Sequence, residues 1–344
     1  MAASLNNSAW IAWVSSLMGG VSRQTLAATF PSDRFYCLLD ELPLHLVPGL
    51  ARKALSCMPK NPHSLILNPD CDLRTAGDFP RAIDVSEELG SAFADQGTVA
   101  WVRSRAGSML PFWLGPRLEA VVNELRSGRS IPAYTTNDTI ALLIGAGILI
   151  PKENQPEPQS DPILNSSALF RSKSYALLPS LLHPFHVAAL RRYYRCLIRN
   201  GRFRLGDAQS PLRYIMHNEP VARFFHQQLT SVVSAVAGEQ VKPSYAYLSS
   251  YLAGAELKKH TDREQCEFSI TMCLDFSPEP ALATPWPICL KTPVGAVAVY
   301  QALGDGLAYR GTRLPHFRHP LGAGQTSTSI FFHFVAADFG GALN

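Results

Sequence analysis

The most regular pattern along the chain is an alternation over residues 245–251, in which Tyr245, Tyr247 and Tyr251 fall on one side and small or aliphatic residues on the other. A period of two predicts a β-strand. Similar β-prone runs follow almost without interruption, separated by glycine and proline turns. The predicted strands cover residues 243–252, 266–276, 286–291, 296–301, 305–310 and 327–335. Many short strands with such turns favour a double-sheet jelly roll, that is, a double-stranded β-helix.

Helical patterns precede this strand-rich part. Residues 186–200 carry apolar side chains near one face and most of their arginines elsewhere, which predicts an amphipathic helix. A second helix is predicted over residues 220–237, with Asn218 as the candidate N-cap. Residues 175–178 predict a short strand in front of both helices.

The N-terminal part has a different pattern. Residues 118–125 and 136–144 each carry a helical stripe, with Thr136 or Asn137 as the cap of the second, and residues 148–150 form a short β-prone run. This order resembles part of a winged-helix unit, and any small helical domain is the alternative. We therefore expect residues 1–150 to form a mainly helical, winged-helix-like N-terminal domain.

Residues 151–166 contain four prolines and almost no apolar side chains. Such a composition predicts an exposed linker. We place the domain boundary there, so that residues 167–344 form the C-terminal domain.

Composition narrows the class of protein. Hydrophobic residues make up 47% of the chain and charged residues 17%, which is enough to build buried cores. A net charge of +4 without long basic runs argues against nucleic acid as a partner. The seven cysteines are scattered and odd in number, which favours reduced thiols over disulfides or a zinc site. We expect no secretory signal and no membrane span, and hence a cytoplasmic protein.

Three residues carry candidate metal chemistry. His260 and Asp262 are two positions apart, so their side chains share one face of a regular strand. His316 lies far downstream, between the predicted strands 305–310 and 327–335. Two imidazoles and one carboxylate form the facial triad of non-haem iron(II) sites, which leaves positions open for substrate and oxygen. The alternative is a structural jelly roll with incidental histidines.

These residues also carry a family resemblance. Tyr251 and Gly254 ahead of His260-Thr261-Asp262, then Gly304-Asp305, then Pro315-His316, resemble the motifs of the iron(II)- and 2-oxoglutarate-dependent dioxygenases, especially the prolyl-hydroxylase-like branch. The resemblance runs from about residue 175 to the end and does not cover the N-terminal part. It implies an α+β fold, in which a jelly-roll catalytic domain is braced by helices.

The resemblance also implies the chemistry. Iron(II) would be held by His260, Asp262 and His316, and 2-oxoglutarate would be oxidised by O2 to succinate and carbon dioxide while a hydroxyl is transferred to an unactivated C–H bond. Halogenating relatives usually replace the carboxylate of the triad with a small residue, so Asp262 favours hydroxylation.

The sequence departs from the family where the distal carboxylate of 2-oxoglutarate is usually anchored. No Lys or Arg occurs over residues 320–335, and Arg318 is the nearest substitute. Tyr251 matches a family position that often touches the cosubstrate, and Ser327 and Thr328 could add hydroxyl donors. Arg263 and Arg310 stay open as alternative anchors, and Arg263 could equally bind a carboxylate of the substrate.

Three functions remain open from the sequence. The favoured one is a hydroxylase acting on an amino acid, a peptide side chain or a natural-product intermediate. The second is an iron oxidase of the same fold that performs desaturation, cyclisation or epimerisation. The third is a non-catalytic jelly-roll binding module.

Overall fold

The computed structural model describes residues 30–41, 64–104, 107–152 and 162–344. The chain divides into two compact units. The first comprises Met1–Ile83, Ala94–Val102 and Leu110–Gln155, and the second comprises Asp84–Phe93, Arg103–Met109 and Pro156–Asn344. Two short segments from the N-terminal half of the chain therefore belong to the second unit, which the sequence pattern did not indicate.

The N-terminal half contains strands as well as helices. Its elements are β1 (Leu65–Leu67), β2 (Cys71–Thr75), α1 (Glu87–Ala92), β3 (Thr98–Arg103), β4 (Met109–Leu114), α2 (Pro116–Arg126), α3 (Asn137–Gly145) and β5 (Leu149–Pro151). Strands β2, β3 and β4 form one sheet, and β1 pairs with β5. The predicted helices α2 and α3 are confirmed, and Thr136 caps α3 by accepting a hydrogen bond from the Thr139 N–H.

The expectation of a mainly helical N-terminal domain is not met by the described residues. The apolar runs of β3 and β4 are short, and periodicity does not separate a short buried strand from a helix segment. Their side chains Trp101, Phe112 and Trp113 are buried. Of the winged-helix-like arrangement expected here, the described residues show only the order α2, α3, β5.

The predicted linker, residues 151–166, is helical at its end. Helix α4 spans Pro162–Lys173, while residues 153–161 lie outside the described residues. Proline suits the first position of a helix, because its missing N–H has no intrahelical partner there in any case. Pro162 therefore begins a helix where its composition had suggested a linker.

The second unit continues from α4 with alternating helices and strands. Its further elements are β6 (Tyr175–Leu178), α5 (Pro184–Arg199), β7 (Arg204–Leu205), β8 (Arg213–His217), α6 (Pro220–Gln228), α7 (Thr230–Ala237), β9 (Val241–Tyr251), β10 (Leu257–His260), β11 (Phe268–Ser277), β12 (Ile288–Thr292), β13 (Gly295–Val299), β14 (Gly306–Arg310), β15 (His316–Arg318) and β16 (Thr326–Ala336). A single 3₁₀ turn, Glu264–Cys266, lies between β10 and β11.

These strands form the predicted jelly roll. The large sheet has the order β6-β14-β11-β16-β9-β8-β7, and the small sheet has the order β10-β15-β12-β13. The strand pairs are antiparallel throughout. Helices α5 and α6 pack against β11 and β9 of the large sheet. Among the described residues, no helix combines the length and apolar character that crossing a membrane requires.

The helix predicted over residues 220–237 is divided at Leu229 into α6 and α7. Its N-cap is Glu219, whose carboxylate accepts a hydrogen bond from the Ala222 N–H, and not Asn218. The carboxylate of Glu219 also accepts hydrogen bonds from two buried tyrosine hydroxyls, Tyr193 and Tyr194. These contacts hold α6 to α5 behind the large sheet.

Candidate metal centre

The three predicted ligands lie together at one end of the small sheet. His260 ends β10 and lies directly opposite His316, the first residue of β15. Asp262 follows two residues after β10, and its Oδ1 is 3.7 Å from His260 Nε2 and 3.5 Å from His316 Nε2. The donor atoms of all three side chains lie within 4.8 Å of one another, an arrangement that can hold a metal ion.

Hydrogen bonds orient both imidazoles in the same way. His260 Nδ1 lies 2.8 Å from the carbonyl oxygen of Lys258, and His316 Nδ1 lies 3.0 Å from that of Leu314. Because a carbonyl only accepts, each Nδ1 carries the proton, and each Nε2 presents a lone pair towards Asp262. Burial and the neighbouring His316 lower the pKa of His260, which favours this neutral form. The residues present therefore fit a transition metal with nitrogen and oxygen ligands.

Asp262 is held from two sides. Its N–H donates to the Gly311 carbonyl at 2.9 Å, and its Oδ2 accepts a hydrogen bond from Ser269 Oγ at 3.0 Å. Oδ1 is left facing the two histidines. Burial opposes ionisation, but the neighbouring His316 and His333 and the hydrogen bond from Ser269 outweigh it and lower the pKa of Asp262 to about 2. The carboxylate is therefore ionised at neutral pH.

Behind Ser269 lies a further histidine that the sequence did not single out. His333 on β16 is paired across the sheet with Ser269 on β11, and its Nδ1 lies 2.9 Å from Ser269 Oγ. A serine hydroxyl has one hydrogen, and the Asp262 carboxylate at 3.0 Å and the Cys266 carbonyl at 3.2 Å both accept it, so His333 Nδ1 donates to Ser269. Burial lowers the pKa of His333 to about 4, so this imidazole is neutral. The two side chains orient Asp262 from behind.

A cavity of about 350 Å³ opens beside the three ligands. Its wall includes Tyr245, Tyr247 and Phe331 from the large sheet, together with Arg213 and Arg263. Pockets of this size with aromatic walls and a few converging polar groups are typical of small-molecule sites.

Arg213 forms a closed polar group within this wall. Its guanidinium donates to the carboxylate of Asp207 and, through Nη1, to the Tyr251 hydroxyl at 3.0 Å. Asp207 also accepts a hydrogen bond from the Tyr247 hydroxyl at 2.7 Å. The positive charge of Arg213 is therefore compensated inside the protein. Arg213 lies on β8, which the sequence pattern did not predict.

The three candidate cosubstrate residues lie in two different places. Tyr251 lines the cavity, whereas Arg318 and Ser327 do not. Ser327 is paired with Tyr251 across β16 and β9, so both side chains face the interior between the sheets. Arg318 stacks on Trp286 at 4.6 Å, and Trp286 contacts Tyr251 edge-on at 5.0 Å. Tyr251 in the cavity wall therefore adjoins Ser327 directly and is linked to Arg318 through Trp286.

Arg318 is a buried cation whose charge has no acidic partner among the described residues. It is 4% exposed, and burial lowers its pKa although four tyrosine and cysteine side chains oppose that shift. Nη1 donates to the Trp286 carbonyl at 2.7 Å, while Nε has no hydrogen-bond partner. An uncompensated buried charge is costly, so this arrangement suits an anionic ligand.

Buried hydroxyls without partners lie on the same interior face. In the described part of the chain, Thr271, Ser249 and Ser329 have unsatisfied hydroxyl oxygens. Ser329 lies opposite both Ser249 and Cys273 in the sheet, and Cys273 is one of the groups that interact with the charge of Arg318. Together with Arg318 Nε, these hydroxyls fit the carboxylate of an elongated dianion such as 2-oxoglutarate. Thr328, by alternation, faces the other side and bonds Ser250.

The other two arginines considered as anchors are placed differently. Arg310 forms ion pairs with Glu239 and Glu267 and does not line the cavity. Arg263 lines the cavity beside the metal ligands, with its guanidinium 4.9 Å from the ring centre of Tyr245.

No protein-family model and no curated protein matches the chain. Among solved structures, it is similar to a prolyl-4-hydroxylase of Pseudomonas putida, with 14% identity and a TM-score of 0.41 over 51% of this chain and 98% of that chain. It is also similar to SnoN, an α-ketoglutarate-dependent epimerase of nogalamycin biosynthesis, with 14% identity and a TM-score of 0.43 over 52% and 84% of the two chains. A third similar structure is HygX of Streptomyces hygroscopicus with nickel, 2-oxoglutarate and hygromycin B bound, with 12% identity and a TM-score of 0.41 over 51% and 88%. At these identities the similarity concerns the fold alone.

Proposed function

We propose that the second unit is an iron(II)- and 2-oxoglutarate-dependent oxygenase that hydroxylates an unactivated C–H bond of an amino acid, a peptide side chain or a natural-product intermediate. The observation that carries this proposal is the convergence of three donors beside a cavity. Two Nε2 lone pairs, from His260 and His316, and the ionised Oδ1 of Asp262 face one point. A 2-His-1-carboxylate set with open positions suits non-haem iron(II).

The cosubstrate is assigned to the interior behind Tyr251. The buried guanidinium of Arg318 would bind the distal carboxylate of 2-oxoglutarate, with Tyr251, Ser327 and the unsatisfied hydroxyls of Ser249 and Ser329 as further donors. This assignment is supported by the lack of any acidic partner for Arg318 among the described residues. Arg213 is the less suitable anchor, because Asp207 already compensates its charge.

The residues of the chain have distinct parts in this chemistry. When bound, iron and 2-oxoglutarate supply the oxidising power for the reaction with O2. The carbonyls of Lys258 and Leu314 keep the protons of His260 and His316 on Nδ1, so both Nε2 atoms stay available as ligands. Ser269 holds Asp262 Oδ2 and turns Oδ1 towards the metal. The tyrosines of the cavity wall shield the reacting C–H bond from bulk water.

Aerobic turnover tests the proposal. The full chain is incubated with ferrous iron and 2-oxoglutarate, and succinate is measured with and without candidate substrates. We expect succinate to form in the wild-type protein and to fall to background in His316→Ala. Succinate production that is equal in the two proteins would refute the assignment. The mass of the product then separates hydroxylation, which adds one oxygen atom, from desaturation or cyclisation, which removes two hydrogens, and from epimerisation, which leaves the mass unchanged.

A further inference from the structure

Arg263 is a cation in the cavity wall that neither the metal nor the cosubstrate uses in the arrangement above. It directly follows the metal ligand Asp262, is exposed, and lines the cavity together with His260 and His316. Its guanidinium lies over the ring of Tyr245 at 4.9 Å from the ring centre, a cation–π contact that fixes the plane of the group. Arg263 also hydrogen-bonds the side chains of Tyr245 and Cys266, and because a guanidinium has five N–H donors, others on this exposed side chain remain available to a ligand.

The charges around the cavity leave Arg263 without a counter-charge. Four described side chains of the wall carry a formal charge, namely Asp207, Arg213, Asp262 and Arg263. Asp207 and Arg213 pair with each other, and Asp262 faces the metal position. Hydrogen bonding to Tyr245 raises the pKa of Arg263 and burial opposes this, and no carboxylate is among the groups that shift the pKa.

Binding of the metal and the cosubstrate does not supply a counter-charge for Arg263. Iron(II), the Asp262 carboxylate and the 2-oxoglutarate dianion together carry one negative charge, which the buried Arg318 would neutralise. Arg263 then remains the uncompensated cation of the described cavity wall. The neighbouring His217, also in the wall, strengthens the positive character when protonated, although burial and then the charge of Arg263 lower its pKa.

We propose that Arg263 forms a subsite for an anionic group, a carboxylate or a phosphate, on the small-molecule substrate that the enzyme oxidises. The inference rests on the proposed function, because it assumes that the cavity receives the substrate. Tyr245 orients the guanidinium by stacking against it. The aromatic rings of Tyr247 and Phe331 offer flat surfaces to the body of the substrate. A cavity of about 350 Å³ accepts a small molecule of this kind.

The subsite is tested by the binding of simple anions. Benzoate and phenyl phosphate serve as anionic probes, and benzamide serves as the neutral counterpart of the same shape. Dissociation constants are measured by calorimetry, both with metal-free protein and with protein loaded with nickel(II) and 2-oxoglutarate. The variants are Arg263→Gln, Arg263→Lys and, as a matched control, Arg199→Gln, which removes an exposed arginine of α5 that does not line the cavity. The affinity for 2-oxoglutarate is measured in parallel.

We expect wild type to bind at least one anionic probe more tightly than benzamide. Arg263→Gln should weaken that binding roughly five- to tenfold, the range between an exposed ion pair and a charge-assisted hydrogen bond. Arg263→Lys should give an intermediate loss, because it keeps the charge but not the planar fork. Benzamide binding, 2-oxoglutarate affinity and the Arg199→Gln control should stay within twofold of wild type.

Three results bear on the proposal in different ways. Anion binding that is unchanged in Arg263→Gln, or a wild type with no preference for anions, contradicts the subsite. A loss of 2-oxoglutarate affinity in Arg263→Gln, with probe binding intact, reassigns Arg263 to the cosubstrate and also contradicts it. If the protein binds neither iron nor 2-oxoglutarate, yet anion binding still depends on Arg263, the proposed function fails while the anion subsite stands.

Discussion

Substitution of Gly311 should disturb the candidate metal centre at one ligand, Asp262. It follows β14, accepts a hydrogen bond from the Asp262 N–H at 2.9 Å and donates to the Glu267 carbonyl at 3.1 Å. A Cβ added here would lie 2.5 Å from the Cys266 carbonyl oxygen, 2.8 Å from Ser269 Oγ, and closer still to Asp262 Oδ2. Side-chain carbons do not approach other atoms this closely, so Gly311→Ala forces a displacement.

The carboxylate of Asp262 is the group that can move most easily, because its side chain can rotate. The Cys266 carbonyl belongs to the backbone of a 3₁₀ turn and cannot rotate away, so the chain around Gly311 must shift as well. Movement of Oδ2 breaks its hydrogen bond with Ser269, which orients the ligand. Loss of such an orienting contact typically lowers metal affinity about 10- to 100-fold, or about 1.4–2.8 kcal/mol. Overpacking should also lower the free energy of unfolding by about 1–3 kcal/mol.

The affinity for ferrous iron is measured by calorimetric titration without oxygen, and the stability of the metal-free proteins is measured by thermal unfolding. Gly340→Ala is the matched control, because a Cβ at that position meets no atom within 4 Å. We expect Gly340→Ala to match wild type in both measurements. Gly311→Ala with a native-like unfolding transition and an iron affinity within twofold of wild type would refute this account of how Asp262 is held.

Three further predictions concern the surrounding residues. Ser269→Ala should weaken iron binding about tenfold in the same titration, whereas Ser250→Ala, on the opposite face of the large sheet, should not. If the two variants weaken iron binding equally, Ser269 has no specific role. Arg318→Gln should weaken 2-oxoglutarate binding by about 10- to 150-fold while iron affinity stays within twofold; an unchanged 2-oxoglutarate affinity would move the anchor to another arginine, such as Arg213. Limited proteolysis of the full chain should cut first within residues 151–161, where the sequence has prolines and few apolar residues; earlier cleavage elsewhere would contradict the linker.

The candidate metal ligands could be identified from the sequence because their signals are local. His260 and Asp262 are separated by one residue, so they stay close along the chain, and His316 lies next to a predicted strand. Asp262 lies beyond the end of β10, so the expected sharing of one strand face is not how the two side chains meet. The jelly roll followed from strand runs long enough to show a period of two. The strands β8 and β15 were missed, because five and three residues give too little periodicity to read.

The residues that orient the ligands could not be found in the same way. Ser269 and His333 lie 64 residues apart in strands that carry other polar side chains as well, and only the register of β11 and β16 places these two opposite each other. The pairing of Arg213 with Asp207 likewise depends on the path of the chain around β8. Register is fixed by tertiary packing and turn geometry, which a single sequence does not display.

The burial of Arg318 is a feature that the sequence does not display. From the sequence, an arginine two residues after His316 could equally have been a surface side chain. The structure buries it against Trp286 and leaves Nε without a partner. Burial without a counter-ion is the feature that makes a ligand-binding role the better interpretation.

The central claim is that His260, Asp262 and His316 bind one iron(II), and metal analysis of His316→Ala tests it most directly. Wild-type protein, the Gly340→Ala control and His316→Ala are loaded with ferrous iron without oxygen, freed of unbound metal, and analysed for iron per chain. The account predicts one iron per chain in the first two proteins and little or none in His316→Ala, because two ligands cannot retain the ion. Full iron occupancy in a correctly folded His316→Ala protein would contradict it.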